Sequence, residues 1–235
     1  MIELTVLASS SSGNCYLVEG DGCRPLLLDC GLSFMRIKKA LWERDLQVSE
    51  LAACLVTHEH GDHAKAAADL LKNGIDICAS EGTIKALGLS GHRLHTVKAL
   101  KPFRGDEWAV LPFDTVHDSA EPLGYLISGN DEKLLYATDT AYIPYRFEGL
   151  NIILVECNYA MDILQANEEL HPAVKRRVIG NHFGIDQVKI FLQASDLSNV
   201  REIHLLHLSD QNADAEKFRR EIQQLAGKPV YIAER

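Results

Sequence analysis

Apolar and polar positions along the chain change period several times, and each change marks an element. IELTVLA and CYLVEG read as two strands, joined through the serine run 9–12 and the turn signal Gly13-Asn14. A third strand, PLLLDC, ends in Asp29-Cys30-Gly31. SFMRIKKALWERD then spaces its apolar residues for a helix, with Ser33 at the N-cap. AACLVT returns to strand, and AKAAADLLKNG predicts one helix stopped by Asn73-Gly74. IDICAS is a short strand and EGTIKALG a short helix. EWAVLPFDTVH, PLGYLISGN and EKLLYATD make a β-rich middle with a hairpin at Gly129-Asn130, followed by the buried strand NIILVEC. A mostly helical stretch runs from about 159 to 195. The strand EIHLLHLS, the helix DAEKFRREIQQLAG and the strand KPVYIA close the chain. Strands in runs, interrupted by helices in both halves, fit an α/β fold of two facing sheets with helices outside.

Length and composition narrow this picture. At 235 residues the chain suits a single domain over 1–235. With 46% hydrophobic and 24% charged residues it is neither disordered nor fibrous. No apolar run approaches the ~20 residues of a membrane span. The opening MIELTVLASSSSGN lacks a basic n-region and a long apolar core, so a cytoplasmic protein is expected. Six cysteines without a CxxC pair read as small buried hydrophobes in a reducing compartment, in preference to disulfides or a zinc knuckle. A net charge of −9 argues against tight, non-specific tracking along DNA, though not against a phosphate held at a metal. The one dense basic run, Lys175-Arg176-Arg177, is a solvated helix face or a substrate contact.

The chemistry sits where apolar runs stop. LVT stops at His58, DTV at His117, LLYAT at Asp139, IILV at Glu156 and IHLL at His207. Side chains at strand ends leave the buried layer and reach open space, which is where sites form in sheet proteins. In THEHGDH, His58 and His60 point the same way along an extended segment and can share one metal. Gly61 turns the chain without a side chain to obstruct an ion. Asp62 and His63 then face a second metal from the mouth of the next helix. Imidazole with carboxylate suits zinc, manganese or iron. His92, His95, His171 and His204 read as structural or exposed.

His58-x-His60-x-Asp62-His63, followed in order by His117, Asp139 and His207, resembles the metallo-β-lactamase superfamily. SSSSGNCYLVE, THEHGDH, HDSAEPLGY, ATDT, VECN, HPAVKRRVIGNH and HLSDQNAD are similar to its YycJ branch, also called WalJ or VicX, and more distantly to RNase Z. NHFGI around His182 and Ala141 after Asp139-Thr140 depart from that branch's usual GHLSN and glycine. The resemblance implies an αββα sandwich of two mixed sheets with helices on the outer faces. It implies two divalent ions per subunit, zinc or manganese, with iron and nickel as other candidates. His58, His60 and His117 would hold one ion, Asp62, His63 and His207 the other, and Asp139 would bridge them.

The implied activity is a metal-dependent phosphodiester hydrolase, a nuclease of the DNA exonuclease type. A metal-bridging hydroxide oriented by Asp62 would attack, and His182 would be the general acid. The alternative is a phosphodiesterase for small or cyclic nucleotides, which the acidic composition favours. A third reading, a metal-stabilised binding module without turnover, is opposed by the full ligand set and His182. Asp29 is either a strand-end cap or the group that orients a ligand histidine. Ser12 and Asn14, on the serine hairpin, would hold a phosphate oxygen or simply form the turn. Glu156 and Asn158 are supporting groups behind the ligands or ordinary strand-end polar residues. The expected partner is a phosphodiester substrate, with no membrane, and relatives' pairing implies a homodimer.

Overall fold

The computed structural model describes residues 1–233 and divides into two compact units. The first comprises residues 1–114 and 119–132. Its strands β1 (Ile2–Ser10), β2 (Gly13–Gly20) and β3 (Cys23–Leu28) run antiparallel, with Leu4 opposite Val18 and Leu17 opposite Leu27. After helix α1 (Phe34–Trp42), strand β4 (Ala53–Leu55) adds parallel to β3. Helices α2 (Gly61–Ala64) and α3 (Ala67–Lys72) lead to β5 (Asp76–Ala79), and α4 (Glu81–Ala86) leads to β6 (Leu94–Thr96), both strands again parallel. These six strands form one mixed sheet. Leu17, Leu27, Ile37, Leu41, Cys54, Leu70 and Ile77 are buried together in its core, so the apolar stripe of α1 faces the alternate residues of β2 to β5.

Two local readings change. Ser33 occupies the N-cap of α1 but its hydroxyl makes no capping bond. AKAAADLLKNG is broken between α2 and α3, because the Ala66 amide donates to Cys30 O at 2.9 Å and so leaves the helical ladder. Gly74, at φ 81°, supplies the left-handed residue after Asn73.

Strands β7 (Phe103–Gly105), β8 (Trp108–Asp114) and β9 (Leu123–Gly129) form an antiparallel meander in the same unit. The turn after β9 is centred on Asn130 and Asp131, at φ 52° and 59°, one residue beyond the expected Gly129-Asn130. Two successive left-handed residues match the twist of a tight hairpin.

The second unit comprises 115–118 and 133–233. Strands β10 (Glu132–Ala137), β11 (Ile152–Glu156), β12 (Glu202–Leu206) and β13 (Val230–Ile232) pair in parallel, with Leu135, Ile153, Ile203 and Val230 in register. The unbroken apolar run IILV in β11 is what a parallel strand covered on both faces requires. Helices α5 (Met161–Ala166), α6 (Pro172–Asn181), α7 (Ile185–Gln193) and α8 (Ala215–Ala226) accompany them. Asp214 caps α8 by accepting from the Lys217 amide at 2.9 Å, and Gly227 ends it at φ 63°. Strands β7 to β13 belong to a second mixed sheet, which completes an α/β fold of two mixed sheets with helices.

Candidate metal centre and active site

Three site residues at strand ends hold left-handed backbone angles without being glycine: Asp29 at φ 57°, Asp139 at 43° and His207 at 51°. Such angles cost about 1–3 kcal/mol each and persist only where the surroundings enforce them.

In the first unit, Asp29 lies fully buried beyond β3. Its carboxylate accepts from the Thr57 amide at 2.8 Å, from Thr57 Oγ1 at 3.0 Å, and from His63 Nδ1–H at 2.7 Å. The His63 tautomer is thereby set, with Nε2 facing the Asn14 amide at 3.0 Å and Asp62 Oδ2 at 3.3 Å. Asn14, itself fully buried, also donates to Ser10 O at 3.0 Å and receives Tyr16 Oη–H at 3.3 Å. His58 and His60 sit side by side, with Nε2 of the first 3.1 Å from Nδ1 of the second. Ring nitrogens that face each other share at most one proton, and a cation would accept both lone pairs. This donor set fits a divalent metal.

Gly31 is the glycine this loop depends on. A Cβ there would lie 1.7 Å from Asp62 O, whereas one at Gly61 would meet nothing within 4 Å. Close approach of backbone to backbone is thus what Gly31 permits. Ser12 is exposed in the hairpin turn, and its amide donates to Ser10 Oγ at 3.2 Å.

In the second unit, Asp139, Glu156, His182 and His207 each offer a ligand atom, all within 4.8 Å of one another. His207 Nδ1–H donates to Asp139 Oδ1 at 2.6 Å, and His182 Nδ1–H to Glu156 Oε1 at 2.6 Å. Glu156 is fully buried, and its other oxygen accepts from the amides of Thr140 at 3.0 Å and Phe183 at 3.1 Å. Burial opposes a charged His207, but Asp139 and Glu156 outweigh it and push its pKa up to about 10. Burial likewise opposes a charged His182, and Glu156 with Asp139 overcomes it. Two buried carboxylates thus demand positive charge, which a divalent cation would supply. His117 differs: burial lowers its pKa and favours the neutral ring. Its Nδ1–H donates to Asn181 O at 3.0 Å, which turns Nε2 toward Asp139 Oδ2 at 3.4 Å.

Asn158 donates to His207 O at 2.8 Å and so props the strained strand end. Several contributors escaped the sequence reading. Thr57 and Thr138 touch the site through hydroxyls, Thr138 Oγ1 donating to Asp139 Oδ1 at 2.9 Å, and Asn181 acts through its carbonyl. The two threonines stand immediately before His58 and Asp139, a positional signal; a backbone carbonyl leaves none. His92, His95 and His171 are exposed, and His204 is half-buried against Tyr231; none joins a metal-type group among the described residues.

Two mixed sheets carrying buried His/Asp clusters at their strand ends define a metal-dependent hydrolase. The chain belongs to the β-lactamase superfamily, whose domain profile matches residues 24–190. It is 30% identical over 239 aligned residues to the exodeoxyribonuclease YycJ of Bacillus anthracis, covering 95% of this chain and 89% of that one. It is 29% identical to the exodeoxyribonuclease WalJ of Streptococcus pneumoniae serotype 2, over 88% of this chain and 82% of the relative. The metallo-β-lactamase fold protein YhfI from Bacillus subtilis superposes with a TM-score of 0.75 at 16% identity, covering 99% and 96% of the two chains. These matches agree with the family expected from the motifs. No helix among the described residues is long and apolar enough to cross a membrane.

Proposed function

We propose that this protein hydrolyses phosphodiester bonds at the ends of nucleic acids, as a DNA exonuclease that uses two divalent metal ions. His58, His60 and His117 would hold one ion, Asp62, His63 and His207 the other, and Asp139 would be shared. Superfamily membership and the donor chemistry of both clusters support this assignment. Bound there, the ions would polarise phosphoryl oxygens and make water a competent nucleophile.

The chain's own residues supply the rest. Asp62 orients the attacking water. His182 protonates the departing oxygen, and with Nδ1 committed to Glu156, Nε2 is the nitrogen that delivers the proton. Asp29 and Thr57 fix the imidazole of His63, and Asn158 fixes the backbone of His207. The observation that carries the reading is the His182–Glu156 pair. A buried carboxylate bonded to a part-exposed imidazole favours the protonated ring that a general acid needs. Similarity over most of the chain to two exodeoxyribonucleases supports nucleic acid as the substrate.

The net charge of −9 favours a second reading, a phosphodiesterase for small or cyclic nucleotides. Metal-reconstituted protein assayed side by side on a chromogenic diester, cyclic nucleotides, and end-labelled single- and double-stranded DNA and RNA separates the two. Stepwise shortening of DNA is expected. Hydrolysis of cyclic nucleotides with all polymers intact would reverse the ranking.

A further inference from the structure

Helix α1 buries Ile37 and Leu41 but leaves Met35 and Trp42 in solvent, at 68% and 74% exposure. Met35, Lys38, Lys39 and Trp42 stand at i, i+3, i+4 and i+7, so they form one continuous stripe on the helix. Beside the stripe lies a groove of about 460 Å³, which Leu46 and Val48 also line, together with Gln47, Ser49 and Asn73. Met35 and Trp42 both line this groove, so the exposed apolar surface is contiguous and not a single side chain.

The charge of the groove narrows the occupant. The chain carries 33 acidic against 24 basic residues, yet no carboxylate lines this groove, while two lysines do. Lys39 reaches Glu43 at 3.7 Å, an exposed pair too weak to neutralise it. An aromatic face, two ammonium groups on the same stripe, and amide and hydroxyl edges from Gln47, Asn73 and Ser49 match a base, a phosphate backbone and base edges in turn. The stripe also starts near the chemistry. Only Leu32 and Ser33 separate Gly31, pressed against Asp62 O, from the first residue of α1. Trp42 lies roughly 12 Å further along the helix axis at ~1.5 Å per residue.

We infer that the groove beside α1 is a track for single-stranded nucleic acid leading to the His58–His63 cluster, with Trp42 as stacking platform and Lys38 and Lys39 as phosphate contacts. The inference rests on the nuclease reading and adds how a polymer is held away from the scissile bond. Trp42 and Trp108 are the only tryptophans, and Trp108 is buried, so intrinsic emission that responds to added ligand reports Trp42.

The test titrates the full, metal-loaded chain with a hydrolysis-resistant phosphorothioate oligothymidylate and follows tryptophan emission. Hydrolysis of ordinary single-stranded DNA and of a chromogenic diester is measured in parallel. Quenching is expected in the wild type. Trp42→Ala should weaken oligonucleotide binding about tenfold, measured by anisotropy of a labelled strand. It should also lower the ratio of kcat/KM for DNA to that for the diester by a similar factor. Lys38→Glu with Lys39→Glu should weaken binding and flatten its salt dependence. Trp42→Ala and the double-lysine variant binding as tightly as wild type would overturn the track while leaving the nuclease reading intact. A Trp42-dependent dimer in sedimentation, with oligonucleotide affinity unchanged, would also overturn it, by assigning the groove to a second copy. Oligonucleotide binding without hydrolysis of any polymer would instead defeat the nuclease reading.

Discussion

His207 Nδ1 lies 2.6 Å from Asp139 Oδ1, and both residues are held in left-handed backbone conformations. The bond joins the segment after β10 to the segment after β12, across the intervening β11 that ends in Glu156. The strain at both ends of this contact is held where two buried carboxylates, Asp139 and Glu156, meet two imidazoles, His182 and His207. A divalent cation bound there would stabilise the folded chain. Manganese or zinc at about 100 times its dissociation constant should add about 2.7 kcal/mol to unfolding stability. Thermal unfolding across a metal titration, starting from chelated protein, measures this; an unchanged midpoint would argue against any ion in either cluster.

Asp29 accepts from His63 Nδ1–H at 2.7 Å, so any part it has in metal binding runs through that imidazole. Replacing it with Asn keeps a side chain that tolerates positive φ but weakens the anchor on His63 Nδ1–H. Asp29→Asn should lower metal affinity by roughly 10–100-fold with the fold retained, as judged by calorimetric metal titration and circular dichroism. Full metal affinity in this variant would return Asp29 to the role of a strand-end cap.

His182→Ala should reduce turnover by roughly 10²–10⁴-fold while metal content stays at the wild-type value. Metal analysis and steady-state rates on the same preparation check both halves. Near-normal turnover would remove His182 from the proton transfer.

Alkaline pH should unfold the protein early. Burial pushes the Cys78 thiol up to about 12, and burial also raises Cys15 and Cys157 and the Tyr125 phenol well above their ordinary values. These groups ionise in the unfolded chain before they ionise in the folded one. The stability they contribute is therefore complete below about pH 9 and falls as pH rises toward 12. Cys78 alone loses roughly 4 kcal/mol over that interval, at about 1.4 kcal/mol per pH unit. Urea unfolding at stepped pH should show a decline that Cys78→Ala makes shallower; a flat profile to pH 11 would contradict the burial of these thiols.

Glycines 31 and 61 should respond oppositely to alanine. Gly31→Ala forces a Cβ into the Asp62 carbonyl and should cost more than about 2 kcal/mol, by the scale of backbone and packing disruptions. Gly61→Ala opens α2 into empty space and should leave folding stability within about 0.5 kcal/mol or improve it. Denaturant midpoints of the two variants provide the comparison.

Strands with clear period-2 or all-apolar runs, such as β2, β8 and β11, were legible because burial on one or both faces writes itself into residue type. Strands β6 and β7, three residues each and mostly exposed, have too little burial to leave a pattern. The break between α2 and α3 was hidden for a different reason: the bond that causes it, Ala66 to Cys30, joins residues far apart in sequence through backbone atoms. The site divides in the same way. Among the candidate ligands, His58, His117, Asp139 and His207 are visible where apolar runs stop, and His60, Asp62 and His63 by their spacing in THEHGDH, whereas the Asn181 carbonyl and the need for Gly31 exist only in three dimensions.

One helix end carries more than its exposure suggests. No residue of α6 is buried, and its named anchors include Arg177 to Asp118 at 2.9 Å and Lys175 to Gln165 O at 2.8 Å, both at the surface. Yet its last carbonyl latches His117, and the next residue is His182. A surface helix end therefore holds one imidazole through its last carbonyl and carries the next one in sequence. Charge reversal at Arg177 should loosen the carbonyl that orients His117, while His182 keeps its separate hold on the buried Glu156.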